Sequence, residues 1–165
     1  MHHLNIDIET YSSVDIKTGG LYKYAQAPDF EILLFAWSLD GGPAHVVDLA
    51  QGEAIPDSIL SLLFCKDCLK HAYNAAFEWY CLCRHFKHLP FDAGWLTEWR
   101  DTMLHGLYCG YTAGLAATGE ALGLPQDKRK LSAGSALIRT FCVPRKQTAR
   151  NPSTRVRPAA EPEKW

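Results

Sequence analysis

The chain has 165 residues, of which 47% are hydrophobic and 12% aromatic, and its formal net charge is −1. This length and composition fit one domain with a sizeable core and exclude wholesale disorder. No apolar run approaches the length of a membrane-spanning helix, and no secretion signal is visible, so we expect a cytoplasmic protein with no membrane partner. The six cysteines are then expected to be reduced thiols.

The first predicted element is the strand "LNIDIETY", in which aliphatic and polar residues alternate. Asp7 and Glu9 lie two residues apart and therefore share one face of the strand, opposite its aliphatic residues. Residues 13–29 are predicted to be an irregular excursion, with a short turn that Ser13 can cap, a break at Gly19-Gly20 and a second short turn at "LYKYAQ".

Two strands, 30–40 and 44–49, are predicted to form a hairpin around Gly41-Gly42. Helices and strands then alternate, which predicts an α/β layer architecture with a mixed sheet. The predicted segments are a helix from Pro56 to 64, a strand at 69–74, a helix at 75–88, a strand within 97–103, and helices at 102–109, 113–124 and 130–142.

Charge is divided unevenly along the chain. Residues 1–127 carry 7 Lys and Arg against 16 Asp and Glu, whereas residues 128–165 carry 10 against 2. An acidic body suits a cation site and a basic tail suits a polyanion, although a solvated tail produces the same pattern. We predict a folded domain at 1–143 and a basic, proline-rich tail at 144–165 that is loop or disordered.

Asp7 and Glu9 repel each other on one strand face unless a cation lies between them. Mg²⁺ is held by one or two carboxylates together with substrate phosphates, and two such ions suit phosphodiester cleavage. A solvent-facing strand end with ordinary acidic residues explains this short motif more simply when it stands alone.

Two further segments supply polar residues at predicted strand ends. Asn74 is followed one helical turn later by Glu78, which can face the first strand as a third acid. Asn74 as a helix N-cap and Glu78 as an acid in the first turn are the structural alternatives. Asp101 is interpreted first as the N-cap of the next helix.

Taken together, "NIDIETYSS", "HAYNAAFEWYCL" and "WRDTMLHGLY" resemble the 3′–5′ exonuclease domain of family A DNA polymerases, in its bacteriophage and prophage branch. The similarity continues through "PDFEILLFAW" and reaches "EPEKW". It implies a ribonuclease H-like fold of the DEDD type. In that family two divalent ions, Mg²⁺ or Mn²⁺, activate a water that attacks the terminal phosphodiester at the 3′ end of single-stranded DNA. The implied role is proofreading beside a downstream polymerase domain.

The resemblance also implies site residues. Asp7 would bridge both ions, Glu9 would ligate one of them, and Glu78 would act on the second ion through water. Glu78 replaces the family's aspartate, and its longer side chain changes the ion spacing. Asn74 and Asp101 match supporting positions.

The family's third motif, a tyrosine or histidine followed four residues later by an aspartate, has no match after residue 111. We therefore expect an incomplete domain, lacking its last helix, that holds an ion weakly and cleaves inefficiently by itself. The alternative is a catalytically silent domain that binds nucleic acid or packs on a polymerase.

Two other groups of residues are candidates for binding. Tyr11 and Tyr22, in an aromatic group that also includes Tyr24 and Trp37, are predicted to stack on terminal bases, with packing inside the fold as the alternative. Asn74 is also predicted to contact nucleic acid. The basic tail can follow a phosphate backbone. The segments "CKDCLKH" and "CLCRHFKH" resemble a zinc cluster, but Cys81 and Cys83 splay apart on a helix, so a structural zinc module is the less favoured alternative.

Overall fold

A five-stranded mixed sheet forms the centre of the protein. The computed structural model describes residues 1–87, 93–129, 132–149 and 153–165. The strands are β1 (His2–Tyr11), β2 (Glu31–Leu39), β3 (His45–Asp48), β4 (Cys68–Ala72) and β5 (Trp99–Asp101). Their order in the sheet is β3-β2-β1-β4-β5. β1 pairs antiparallel with β2 and parallel with β4, which confirms the predicted mixed sheet.

Helices flank this sheet. In the described residues they are α1 (Ile16–Gln26), α2 (Asp57–Leu63), α3 (Ala75–Phe86), α4 (Ala93–Leu96), α5 (Thr102–Tyr108), α6 (Leu115–Ala121) and α7 (Ser132–Phe141). No helix within these residues is long and apolar enough to cross a bilayer. The predicted helices at 75–88 and 130–142 each include positions, 88 and 130–131, that lie outside the described residues.

The alternation in β1 gives the sheet two unlike faces. Leu4, Ile6 and Ile8 are at most 5% exposed and lie in the main core, together with Phe35 of β2 and Leu82 of α3. The opposite face of β1 carries Asp7 and Glu9, as the period of two predicts. Burial of the aliphatic face therefore fixes the direction in which the two carboxylates point.

The segment 13–29, predicted to be an irregular excursion with two short turns, forms the kinked helix α1 and is therefore more regular than predicted. Asp15 caps this helix by accepting a hydrogen bond from the Lys17 backbone N–H at 2.9 Å. Gly20, at φ +78°, kinks the helix at the predicted break, and Tyr24 and Ala25 anchor it in the interior. Two glycines and few apolar residues left the helix without the periodicity that would reveal it.

The described part of the tail packs against the domain instead of lying free in solvent. It has little regular structure apart from a short 3₁₀ turn at Pro158–Ala160. Val156 is 7% exposed in a second apolar cluster with Tyr11, Leu33 and Phe141. Two arginines of the tail pair with Glu31, as described below. The tail positions 150–152 lie outside the described residues, and the boundary at 143 stays a prediction.

A candidate acidic site on the central strand

Asp7 and Glu9 lie on the floor of a large cavity in the described part of the chain. Asp7 is exposed and Glu9 half-buried. The cavity has a volume of about 1110 Å³, and both carboxylates line it. The pairing of β1 with β2 places Glu9 beside Leu34, whose side chain also lines the cavity. The two acids predicted to act together therefore share one open space.

Helices α6 and α7, the tail and the segment after α6 form the walls of this cavity. The walls are mainly apolar, and three basic side chains join them. The apolar residues include Leu115, Leu122, Leu124, Leu137, Ile138, Phe141 and Trp165, and the basic ones are Lys128, Arg129 and Lys164. A cavity with an acidic floor, apolar walls and added positive charge can take an elongated ligand with both apolar and anionic parts.

Glu78 is a buried acid within electrostatic reach of the two strand carboxylates. It lies in the first turn of α3 and is 3% exposed. Burial, and then the negative charges of Asp7, Asp101 and Glu9, raise the pKa of Glu78 to about 8. Within the described residues its Oε2 atom has no hydrogen-bond partner. At neutral pH this carboxyl is mostly protonated, and an approaching cation would favour loss of its proton.

Asp101 holds the elements that place Glu78. Its carboxylate accepts hydrogen bonds from the backbone N–H groups of Met103 and Leu104, at 2.9 and 3.2 Å, and so caps α5. It also accepts from the backbone N–H groups of Asn74 and Ala75, both at 3.1 Å. The predicted N-cap is confirmed, and the same side chain ties the start of α3 to the end of β5.

Asn74 does not cap α3 through its side chain, contrary to the structural alternative suggested by the sequence. Its backbone adopts a left-handed conformation, φ 69° and ψ 53°, which turns the chain from β4 into α3. Its side chain makes no capping hydrogen bond. Asp101 supplies that bond instead, so Asn74 serves the turn, a conformation that asparagine tolerates well. A contact of Asn74 with nucleic acid stays a prediction.

Cys142 is a neighbour of Glu9 that the sequence did not reveal. Its thiol donates a hydrogen bond to Glu9 Oε2 at 3.6 Å. Burial, and then the charge of Glu9, raise the pKa of Cys142 to about 12, so the thiol stays protonated. Because the partners are 133 positions apart in the sequence, no local pattern could have indicated this contact.

The two tyrosines predicted to stack on bases differ in exposure. Tyr11 is 1% exposed, and the Arg155 guanidinium lies 4.4 Å from the centre of its ring. The prediction that Tyr11 stacks on a base is therefore wrong for this conformation, because the second cluster and Arg155 cover the ring. Tyr22 is 58% exposed and meets Tyr80 edge-on, so stacking by Tyr22 stays a prediction.

The fit of a metal ion depends on donor chemistry and on geometry. Carboxylate oxygens are the ligands that Mg²⁺ and Mn²⁺ prefer, and the buried Glu78 Oε2 adds a further such oxygen. Across the described ranges no three His, Cys, Asp or Glu side chains are grouped closely enough to hold an ion. The acids suit such an ion chemically and would have to draw together around it. His88, one member of the predicted zinc cluster, lies outside the described residues.

Comparison with known proteins gives a relative in sequence and a solved structure of similar fold. The chain is 46% identical over 167 residues to the DNA polymerase of Bacillus phage SP02, a match that spans 100% of this chain and 25% of that protein. A chain in the structure of the yeast NOT1 MIF4G domain co-crystallized with CAF1 shares the fold, with a TM-score of 0.50 and 12% identity. This match covers 75% of our chain and 69% of the other. No family model matches. The chain is therefore homologous over its whole length to about a quarter of a phage DNA polymerase.

Proposed function

We propose that this chain is a 3′–5′ exonuclease domain of a phage-type DNA polymerase, with a ribonuclease H-like fold. It would act in the bacterial cytoplasm on the 3′ end of single-stranded DNA, using Mg²⁺ or Mn²⁺. The observation that carries the proposal is the concentration of negative charge from Asp7, Glu9 and Asp101 on the buried carboxyl of Glu78. Acids whose negative charges repel one another in this way favour a hard cation, around which they would draw together.

Three other observations support the proposal. The mixed sheet flanked by helices is the architecture that the sequence resemblance implies. The relative in sequence is a phage DNA polymerase. The apolar walls of the cavity suit bases and sugars, and Lys128, Arg129 and Lys164 suit phosphates.

Each acid has a defined part in this proposal. A bound divalent ion would supply a metal-activated water and stabilise charge on the phosphate. The carboxylates of Asp7 and Glu9 would hold it from β1. Glu78 would give up its proton and contribute its buried oxygen. Asp101 is a positioning residue, because its four backbone hydrogen bonds leave α3 and α5 fixed relative to each other.

Hydrolysis of a labelled single-stranded oligonucleotide tests this function. We expect shortening from the 3′ end in Mn²⁺ or Mg²⁺, and loss of that activity in Asp7→Ala, because the variant lacks a carboxylate at the floor of the cavity. Asp57→Ala is the matched control, since Asp57 is an exposed acid at the start of α2. Equal hydrolysis by wild type and Asp7→Ala would contradict the assignment.

The alternative is a catalytically silent domain that binds nucleic acid or packs on a polymerase. The hydrogen bond from the Cys142 thiol favours it, because this bond occupies a Glu9 oxygen that an ion would need. The silent domain predicts no hydrolysis in excess Mn²⁺ and DNA binding that persists in Asp7→Ala. The same oligonucleotide therefore distinguishes the two functions.

A further inference from the structure

A second group of polar residues lies on the same sheet face as Asp7, on the side of β4 and β5. Asn5 of β1 lies opposite His71 of β4, and His71 lies opposite Arg100 of β5. His3 lies on β1 two residues before Asn5, on the side away from Asp7. Residues opposite each other in register, and residues two apart on one strand, project to the same face. We call His3, Asn5, His71 and Arg100 the histidine strip.

The two histidines of the strip are joined directly. His3 Nδ1 and His71 Nε2 are 2.9 Å apart, and the rings stack with centroids 5.1 Å apart. One proton shared at this contact satisfies both nitrogens. A second proton can be added at an outer ring nitrogen without breaking the contact, which leaves an imidazolium hydrogen-bonded to an imidazole. The pair can therefore take up one positive charge while keeping its geometry.

The groups around His71 are cationic or can become so. His3 faces it from β1, Arg100 from β5 and His105 from α5, and these groups, after burial, lower the pKa of His71. The Arg100 guanidinium is oriented by hydrogen bonds from Nη1 to the Thr97 and Trp99 carbonyls, both at 2.9 Å. An anion placed against this strip would relieve the mutual repulsion of these groups.

An acid, Asp40, lies at the outer end of the strip. Asp40 accepts a hydrogen bond from the His3 backbone N–H at 2.8 Å and contacts His2 Nδ1 at 2.7 Å. At the inner end, the row of Asn5 lies about 7 Å from the row of Asp7, two strand residues away. The strip therefore begins one row from the candidate acidic site and leads away from it.

We propose that the histidine strip binds the phosphate backbone of the DNA strand whose 3′ end lies at the acidic site. This inference rests on the proposed function, and it adds the direction in which the strand leaves the acids. Because a phosphate stabilises the protonated pair, DNA should bind more tightly as pH falls and the pair takes up its proton.

Binding of a fluorescent oligothymidylate, followed by anisotropy in EDTA at constant ionic strength, tests the strip. Glu78, with a pKa of about 8, would also change its charge within the pH range of this experiment. Every protein compared therefore carries the additional substitution Glu78→Gln. With His3 and His71 present, we expect binding to tighten about three- to tenfold between pH 8 and pH 5.5, the range in which histidine titrates. In the His3→Gln/His71→Gln variant this gain should disappear, because the pair can no longer gain a charge.

His45→Gln is the matched control, since His45 stacks on Trp37 at the opposite side of the sheet, and it should keep the full pH response. His3 is exposed, so His3→Gln alone provides the test if the double variant does not fold. If the double variant keeps the pH response and the wild type shows metal-dependent hydrolysis, the proposal for the histidine strip is wrong and the proposed function stands. Absence of both hydrolysis and DNA binding overturns the proposed function and the strip together.

Discussion

At the scale of single residues, Glu78 shows how burial changes the chemistry of a carboxyl. It occupies the first turn of α3, where an acid is ordinarily favoured by the helix dipole. Its near-complete burial beside Asp7, Glu9 and Asp101 outweighs that preference and raises its pKa to about 8. The neutral form is therefore the stable one at neutral pH.

This shift predicts a pH dependence of stability. Well below pH 4.5 the carboxyl is protonated in both the folded and the unfolded protein, so stability does not change with pH there. Between about pH 4.5 and about pH 8 the carboxyl loses its proton only in the unfolded protein. The free energy of unfolding should therefore fall as pH rises through this window, by several kcal/mol at about 1.4 kcal/mol per pKa unit.

Urea denaturation at pH 5, 7 and 9 measures this effect. In Glu78→Gln the decline should flatten, because glutamine has no proton to lose. Glu120→Gln, at an exposed position of α6, should retain the wild-type decline. Parallel curves for wild type and Glu78→Gln would contradict the assigned pKa.

At the scale of elements, the start of α3 and the start of α5 are joined by one side chain. Asp101 receives backbone hydrogen bonds from both segments, whereas Asp15 caps only α1. The junction between β4 and α3 thus depends on β5, and the placement of Glu78 depends on that junction.

We expect Asp101→Ala to cost more than an ordinary cap. Loss of a single cap costs about 1 kcal/mol, and removal of a carboxylate that serves two helices should cost about 2 kcal/mol or more. Asp15→Ala is the comparison and should cost about 1 kcal/mol. Chemical denaturation measures both, and equal losses would show that the bonds to Asn74 and Ala75 contribute little.

At the scale of the whole molecule, the tail closes the second apolar cluster over the sheet. Arg155 pairs with Glu31 at 2.7 Å and covers Tyr11, while Arg157 reaches the same Glu31 at 3.1 Å. Trp165 packs against Phe141 edge-on and donates a hydrogen bond from Nε1 to Asp48. Two of the basic side chains of the tail are thus paired with an acid of the domain.

The two arginines provide a matched pair for mutation. The Arg155 side chain is 12% exposed and that of Arg157 is 56% exposed, and they share one partner. Arg155→Ala should destabilise the fold by about 1–3 kcal/mol, because it removes a partly buried ion pair and the contact with Tyr11. Arg157→Ala should cost less than about 0.5 kcal/mol, as exposed pairs do. Thermal unfolding of both variants measures which substitution lowers stability more. A larger loss of stability in Arg157→Ala than in Arg155→Ala would contradict this prediction.

Much of the fold and part of the candidate site could be predicted from local patterns. The alternation in β1 indicated which face carries Asp7 and Glu9, because side chains on a strand repeat every two residues. The strand-to-helix junction indicated Asp101 as a cap, since the backbone amides at a helix start need acceptors. The kinked helix α1 was predicted only as two short turns with a break, because its glycines weaken the helical signal.

Only the tertiary structure decided what each candidate side chain meets. The burial of Tyr11, the thiol of Cys142 on Glu9 and the joined pair His3 and His71 all bring together segments distant in sequence. The sequence by itself determined the period of the strands and the positions of the acids, because backbone geometry acts over a few residues. Burial and charge coupling act through space, so the raised pKa of Glu78 depends on how α3 packs beside β1 and β5.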